Sequence, residues 1–271
     1  MSQSSHWTQH AAQWARVGPP LRPVAQDVAL FRRALALDDD AAPVALLLGA
    51  TSELVDLPWP AATRLFAADR SLPMLLAQRP QWRFAGQWLV ALNADWRALP
   101  LAAASVDGIV GDGALTTLPD MTQVARVGAE CARVLRPGGA LAMRLFCAPA
   151  VAEGVDDVIA DARAGRVGGF HAWKWRFVMA MHAGDAGATL GDIWCRFAAE
   201  FADRDVLAQV TGWPREAIDT LDAYRGAGAR YVFPPVAAVA AAFGDGFALA
   251  DVAVPDYELG ARCPVVRFVR R

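Results

Sequence analysis

Lysine, paired cysteine, basic clusters and long apolar runs are all scarce in this chain, and each shortage removes a class of function. Lys174 is the only lysine among 26 basic residues, so arginine carries nearly all the positive charge, which we read as compositional bias of the genome. No run of basic residues appears and the formal net charge is −2, with a pI near 6.1. A nucleic acid or an anionic membrane surface needs a basic track to meet its phosphates, so neither partner is expected. The four cysteines, Cys131, Cys147, Cys195 and Cys263, show no C-x-x-C and no metal-ligand spacing, which favours reduced thiols over a disulfide framework or zinc. His6 and His10 stand at i and i+4 without a third ligand, and no metal is expected. MSQSSHWTQH lacks a basic start followed by an apolar run, and apolar runs elsewhere are too short to cross a bilayer. A soluble, cytoplasmic protein is the expectation.

Glycine is also scarce where a nucleotide-binding protein would concentrate it. Residues 42–69 read as a buried strand (Val44–Leu48) ending at Gly49, a loop with a helical turn or two, and a second strand (Leu65–Ala68) ending on Asp69. The separation of Gly49 and Asp69 is that at which a βαβ unit places a carboxylate on ribose hydroxyls while its first loop wraps the ligand. Yet Gly49-Ala50-Thr51-Ser52-Glu53 holds one glycine where three are usual. The stretch alone leaves a nucleotide-like cofactor and a plain buried βαβ unit both open.

The chain's 271 residues suffice for one large α/β domain with an insertion. Residues 1–41 read as two helical pieces split by Gly18-Pro19-Pro20, with Trp7 and Trp14 on one face that either packs on the main domain or closes over a ligand. After Asp69 come a short helix (Ser71–Arg79), a strand (Trp88–Leu92), a second strand (Val106–Val110) and a loop carrying Asp112. A helix over Thr122–Leu135 has the apolar stripe Val124, Val127, Cys131 and Val134; it stops at Arg136-Pro137-Gly138-Gly139, before a strand at Ala140–Phe146. Strands alternating with helices predict a parallel sheet covered on both faces, with ligands at the carboxyl ends of the strands. Those ends carry Gly49, Asp69, Asp95 and Asp112. Residues 150–245 are helical with glycine-rich joints and read as a cap, and strands at Phe247–Val254 and Val265–Val269 suggest an antiparallel edge. The expected division is thus 1–41, 42–149, 150–245 and 246–271.

Three fragments in order give the chain a family resemblance. Cys131–Phe146, CARVLRPGGALAMRLF, is similar to the helix, R-x-L-[KR]-P-G-G turn and fifth strand of class I S-adenosyl-L-methionine (SAM)-dependent methyltransferases. Leu65–Leu75 resembles that family's V-D-x-S-x-x-M-L, and Asn93–Val110 its D-x-x-x-L-P-[FL]-x-x-x-[ST]-[FV]-D. The resemblance implies a seven-stranded, doubly wound, mostly parallel α/β sheet in the order 3-2-1-4-5-7-6, with one antiparallel strand and a helical cap insertion. It implies SAM as cofactor: Gly49, with Ala50 and Thr51, passes around the methionine part; Asp69, with Arg70 beside it, accepts from both ribose hydroxyls. Asp95 then accepts from the adenine amino group, Trp96 lies beside the purine, and Gly111, Asp112 and Leu115 follow the fourth strand where methyl donor and acceptor meet. Asp95 also reads as a helix N-cap, and Asp112 as a turn residue with Gly113. In the first loop the family's acidic residue and two further glycines are replaced by Leu47, Thr51 and Glu53.

The cap has its own constellation on a helix from Phe170. Phe170, Trp173, Phe177 and Met181 form one stripe that reads as core; His171, Trp175, Val178 and His182 form a second face, a candidate pocket lining. Lys174 and Arg176 are expected to be solvated or locally paired. Tyr224, Arg225, Arg230 and Tyr231 could line the same pocket. The expected enzyme is a SAM-dependent methyltransferase of a small-molecule acceptor, with His171, Trp175, Tyr224 and Arg225 at the acceptor. Methyl transfer needs alignment above all, and a general base only where the acceptor must lose a proton; His171 and Asp112 are the candidates. A catalytically silent SAM-fold module binding a metabolite or a protein is the alternative; an NAD-type dehydrogenase fits the first loop less well.

Overall fold

Seven strands pair into one sheet: β1 (Val44–Leu48), β2 (Arg64–Asp69), β3 (Trp88–Asn93), β4 (Val106–Asp112), β5 (Leu135–Arg144), β6 (Phe247–Ala253) and β7 (Val265–Arg270). Their order is β3-β2-β1-β4-β5-β7-β6. Pairing is parallel except at β7, which is antiparallel to both β5 and β6, so the doubly wound α/β sheet implied by the resemblance is the one formed. This computed structural model describes residues 11–182 and 187–271; His6, Trp7 and His10 lie outside the described residues. Central β1 is buried along its whole length, because helices cover both of its faces.

On one face α1 (Ala25–Leu35), α2 (Ser52–Val55) and α3 (Leu72–Gln78) bury Phe31, Leu35, Leu54 and Leu75 against the strands. The other face is covered by α4 (Met121–Val134), whose stripe Val124, Val127, Cys131 and Val134 is fully buried. Asp120 starts α4 by accepting the Gln123 N–H at 2.9 Å. β5 begins directly after α4, one turn earlier than the sequence suggests. Pairing jumps from Val106↔Leu135 to Gly108↔Ala140, so Arg136-Pro137-Gly138-Gly139 is an outward bulge within the strand instead of a turn before it.

Between β5 and β6 the described residues form only helices: α5 (Val155–Arg163), α6 (Phe170–His182), α7 (Leu190–Glu200), α8 (Arg204–Thr211), α9 (Arg215–Ile218), the 3-10 turn Asp219–Tyr224 and α10 (Val236–Phe243). All but α10 enclose a second apolar core centred on α6, whereas Val239 and Phe243 of α10 belong to the core of the sheet. Trp173 stacks on Phe177 with centroids 5.0 Å apart, and its indole N–H donates to the Val158 carbonyl at 2.8 Å, so the stripe of Phe170, Trp173 and Phe177 is core. Among the described residues, no helix is long and apolar enough to cross a membrane.

Candidate functional site

The chain leaves β1 for β2 on one side and later crosses back to place β4 on the other, so the loops after β1 and β4 part and leave a crevice. A pocket opens there, with about 960 Å³ of space including its mouth. Gly49, Ala50 and Thr51 line it directly after β1. Gly49 takes φ +122°, a conformation that suits glycine alone, and a Cβ built on it meets nothing within 4 Å, so open space faces this backbone. Its N–H donates to the Ala68 carbonyl at 2.8 Å, tying the loop to the end of β2. There Asp69 enters the pocket wall with Arg70 and Met74. The Ser71 N–H donates to Asp69 Oδ1 at 2.7 Å, while the Ser71 hydroxyl caps α3. Burial pushes the Asp69 carboxyl up to about 6, against the opposing pull of the Ser71 N–H and of Arg70. Trp96 donates its indole N–H to the Ala68 carbonyl at 2.6 Å, which fixes the ring at the pocket beside Asp69.

At the end of β4, Asp112 lines the pocket with one oxygen committed: Arg144 Nε donates to Oδ1 at 2.6 Å. The fully buried Arg144 also reaches Asp27 Oδ2 at 3.1 Å and the Tyr257 hydroxyl at 3.0 Å, and that hydroxyl donates to Asp27 Oδ1 at 2.9 Å. Burial raises the Asp112 carboxyl above the usual range, against the attraction of Arg144. Gly113 follows with φ +58°; a Cβ there would sit 2.4 Å from the Phe146 ring. Glycine therefore lets Phe146 lie against the end of β4 and face the pocket.

The opposite wall is aromatic. Trp175 meets Phe146 edge-on with centroids 5.0 Å apart and lies 5.7 Å from Tyr231; Tyr224 and Tyr231 are hydrogen-bonded through their side chains. All four rings line the pocket, and Trp14, Val17 and Leu21 of the N-terminal segment close one side of it. That segment is fastened by an Arg22–Glu53 ion pair and by His171, whose Nε2–H donates to the Arg16 carbonyl at 2.9 Å.

Residues 46–143 match the model of a family described as a methyltransferase domain. The match runs from within β1 to within β5 and includes Gly49, Asp69 and Asp112 at the pocket, and the family is the one that the three sequence fragments resemble. Solved structures share the fold at low identity. A protein from Rhodobacter sphaeroides named as a zinc-dependent alcohol dehydrogenase has a TM-score of 0.59 at 13% identity, with 100% of each chain covered. The N-methyltransferase NodS of Bradyrhizobium japonicum WM9, in complex with S-adenosyl-L-homocysteine (SAH), has a TM-score of 0.53 at 12% identity over 97% of this chain and 98% of its own. A SAM-dependent methyltransferase from Methanosarcina mazei has a TM-score of 0.51 at 13% identity, over 92% of this chain and 99% of that one. No curated protein matches the sequence. The zinc in the first of these names belongs to that protein; among the described residues of this chain, no group of three or more His, Cys, Asp or Glu side chains could hold a metal.

Eight residues expected at the pocket do not line it: Asp95, Gly111, Leu115, His171, Val178, His182, Arg225 and Arg230. Asp95 is held by its own neighbour: its carboxylate takes Arg97 N–H at 2.9 Å and Arg97 Nε at 2.8 Å, and the Arg97 side chain holds it down at about 2. No helix follows Asp95, so it is not the N-cap of the alternative reading; its carboxylate closes a turn on the Arg97 N–H instead of facing an adenine. Gly111 is inside β4, where a Cβ would come within 3.0 Å of Met143, and Leu115 is buried in the sheet's core. His171 turns its ring to the N-terminal segment; burial first, then Lys174, lower it to about 4 despite the Arg16 carbonyl, so it is a neutral fastener and not a base at the acceptor. Arg225 is exposed and stacks 4.3 Å from the Trp194 ring centroid, on the outside of the cap.

Arg176 is paired with Glu153 and Asp161 as expected. Lys174 is the reverse of its expectation: it is fully buried, 0% exposed. On the other side of the ledger, Gly113, Thr116, Thr117 and Phe146 line the pocket without having been singled out. The available signal was position: each follows the end of β4 or β5, where loops of a doubly wound sheet face the ligand.

Proposed function

We propose that the chain is a SAM-dependent methyltransferase that holds a small, largely apolar acceptor between Phe146, Trp175, Tyr224 and Tyr231. The observation that carries this reading is one continuous pocket with two different walls: strand-end backbone and Asp69 on the sheet side, four aromatic rings on the cap side. Apolar walls with few placed polar groups suit a small organic molecule.

The residues present fit the cofactor. The open face of Gly49 admits a ligand against backbone, and the Asp69 carboxylate, engaged by Ser71 through one oxygen, has capacity to accept ribose hydroxyls; Trp96 offers a ring beside them. Arg70, Ala50 and Thr51 border the same side. When bound, SAM supplies a methyl group on a sulfonium sulfur, a displacement that needs alignment and exclusion of water more than acid–base help. Alignment falls to the ring wall, and exclusion of water to Trp14, Val17 and Leu21. Asp112, the remaining candidate base, keeps one oxygen for Arg144, and we assign it to positioning near the methyl group.

A cytosolic location suits four unpaired cysteines, and a net charge of −2 suits neither nucleic acid nor membrane as partner. The test is a panel of small aromatic and heteroaromatic acceptors incubated with SAM and read by SAH release. Turnover that is lost in Trp175→Ala while SAH binding persists supports the reading. Turnover unchanged in that variant places the acceptor elsewhere.

A further inference from the structure

Lys174, the single lysine of the chain, sits with its Nζ 4.5 Å from the ring centroid of Tyr224. Tyr224 lines the aromatic wall of the pocket. The amine is wholly buried, and among the described residues it has no hydrogen-bond partner and no carboxylate within salt-bridge distance. The other buried cation near this wall, Arg144, lies 5.3 Å from the Phe146 ring centroid and is balanced by Asp112 and Asp27. Lys174 has no such balance. A second group nearby is also short of a partner among the described residues: the buried indole N–H of Trp175, a side chain that lines the same pocket.

A buried charge without a counter-ion and a buried donor without an acceptor are both costly, and both are relieved by the same ligand feature, an anionic oxygen. A cationic ligand would instead meet an aromatic wall backed by an amine that can add only positive charge. We propose that the acceptor is a planar aromatic acid, such as an aryl carboxylate or an acidic phenol, with its negative oxygen received on the Tyr224–Trp175 side and Lys174 serving as its counter-charge. Lys174 does not touch the ligand; it is a positioning residue that acts through the field across the Tyr224 ring, where the low dielectric of the cap interior keeps a charge effective. Burial lowers its ammonium to about 7, so arrival of an anion is what favours its charged form. The inference rests on the methyltransferase reading only for the placing of the acceptor in the ring-lined half of the pocket.

The test is a charge series on one ring system: 2-naphthoate, 2-naphthamide and 2-naphthylmethylamine, titrated by calorimetry at pH 7.5 into SAH-loaded wild type and Lys174→Met. SAH is titrated first, alone. Failure of SAH to bind counts against the cofactor reading, and the series is then run on the protein without it. Naphthoate should bind wild type about tenfold more tightly than the amide, with the amine weakest. In Lys174→Met the naphthoate and amide affinities should fall within twofold of each other, with SAH affinity unchanged. Equal or tighter binding of amide or amine by wild type overturns the proposal, as does no binding of any of the three. So does an undiminished naphthoate preference in folded Lys174→Met. Should that variant not fold, the wild-type series decides alone.

Discussion

The sheet wall and the cap wall of the pocket are built by different means. On the sheet side, position comes from the hydrogen-bond ladder: Gly49, Asp69 and Asp112 each stand at or just past the end of a strand whose register is set by its neighbours. A single carboxylate and exposed backbone then suffice to shape a site. On the cap side no ladder exists, and Trp175, Tyr224 and Tyr231 are placed by ring contacts, tilted between Trp175 and Tyr231 and edge-on between Tyr224 and Tyr231, that join a helix to two irregular segments. In a wall of the first kind the strand ends converge on the pocket although the loop after β1 holds Thr51 and Glu53 in place of glycines. The second kind depends on side chains that can be exchanged without disturbing the sheet, which is how one fold accommodates different acceptors.

The two walls meet at Arg144, and removing it should have the largest effect. Arg144→Met leaves Asp112 and Asp27 buried without their cation, a loss of about 3–5 kcal/mol for breaking such a pair; urea unfolding should show it, with both walls disturbed. Next is Asp69→Ala, confined to the sheet wall: SAH affinity should fall by about 2 kcal/mol, the scale of hydrogen bonds to a charged acceptor, with little change in melting temperature. Because the Asp69 carboxyl titrates at about 6, the ionised acceptor is present above that pH and lost below it, so wild-type SAH affinity should decline as pH falls through 6, and the decline should be absent in Asp69→Ala. His171→Ala removes one fastening of the N-terminal segment, worth about 1 kcal/mol. Limited proteolysis near Arg16 should accelerate while acceptor-side selectivity is retained. The smallest effect belongs to Asp95→Ala: its half-exposed pair with Arg97 should contribute less than about 1 kcal/mol, and SAH affinity should be nearly unchanged. An Asp95 effect as large as that of Asp69 would mean that the Arg97 pair opens to the cofactor.

Much of the sheet wall was legible in the sequence because short-range signals determine it. Val44–Leu48 is apolar throughout, as a strand covered on both faces must be, and Gly49 and Asp69 follow from the strand ends. The helix over residues 121–134 showed its stripe, and the Arg-Pro-Gly-Gly fragment marked the fifth strand, although its place as a bulge inside β5 depends on pairing with β4. Asp95 and Arg225 were misplaced because an acidic residue after a strand and an arginine beside tyrosines say nothing of which local partner captures them: Arg97 took one, and the Trp194 ring the other. His171 and Lys174 sit on one helix, and its periodicity shows two aromatic faces without saying which faces the pocket. The cap also buries nearly all sides of α6, so a lysine expected in water ended in the core.

The most direct measurement is calorimetric titration of SAM, and of NAD as a control, into wild type and Asp69→Ala at pH 7.5. The account predicts one SAM bound per chain, no NAD, and a SAM affinity about thirtyfold weaker in the variant, the equivalent of about 2 kcal/mol. SAM binding that is absent from the wild type, or equal in the folded variant, would contradict it.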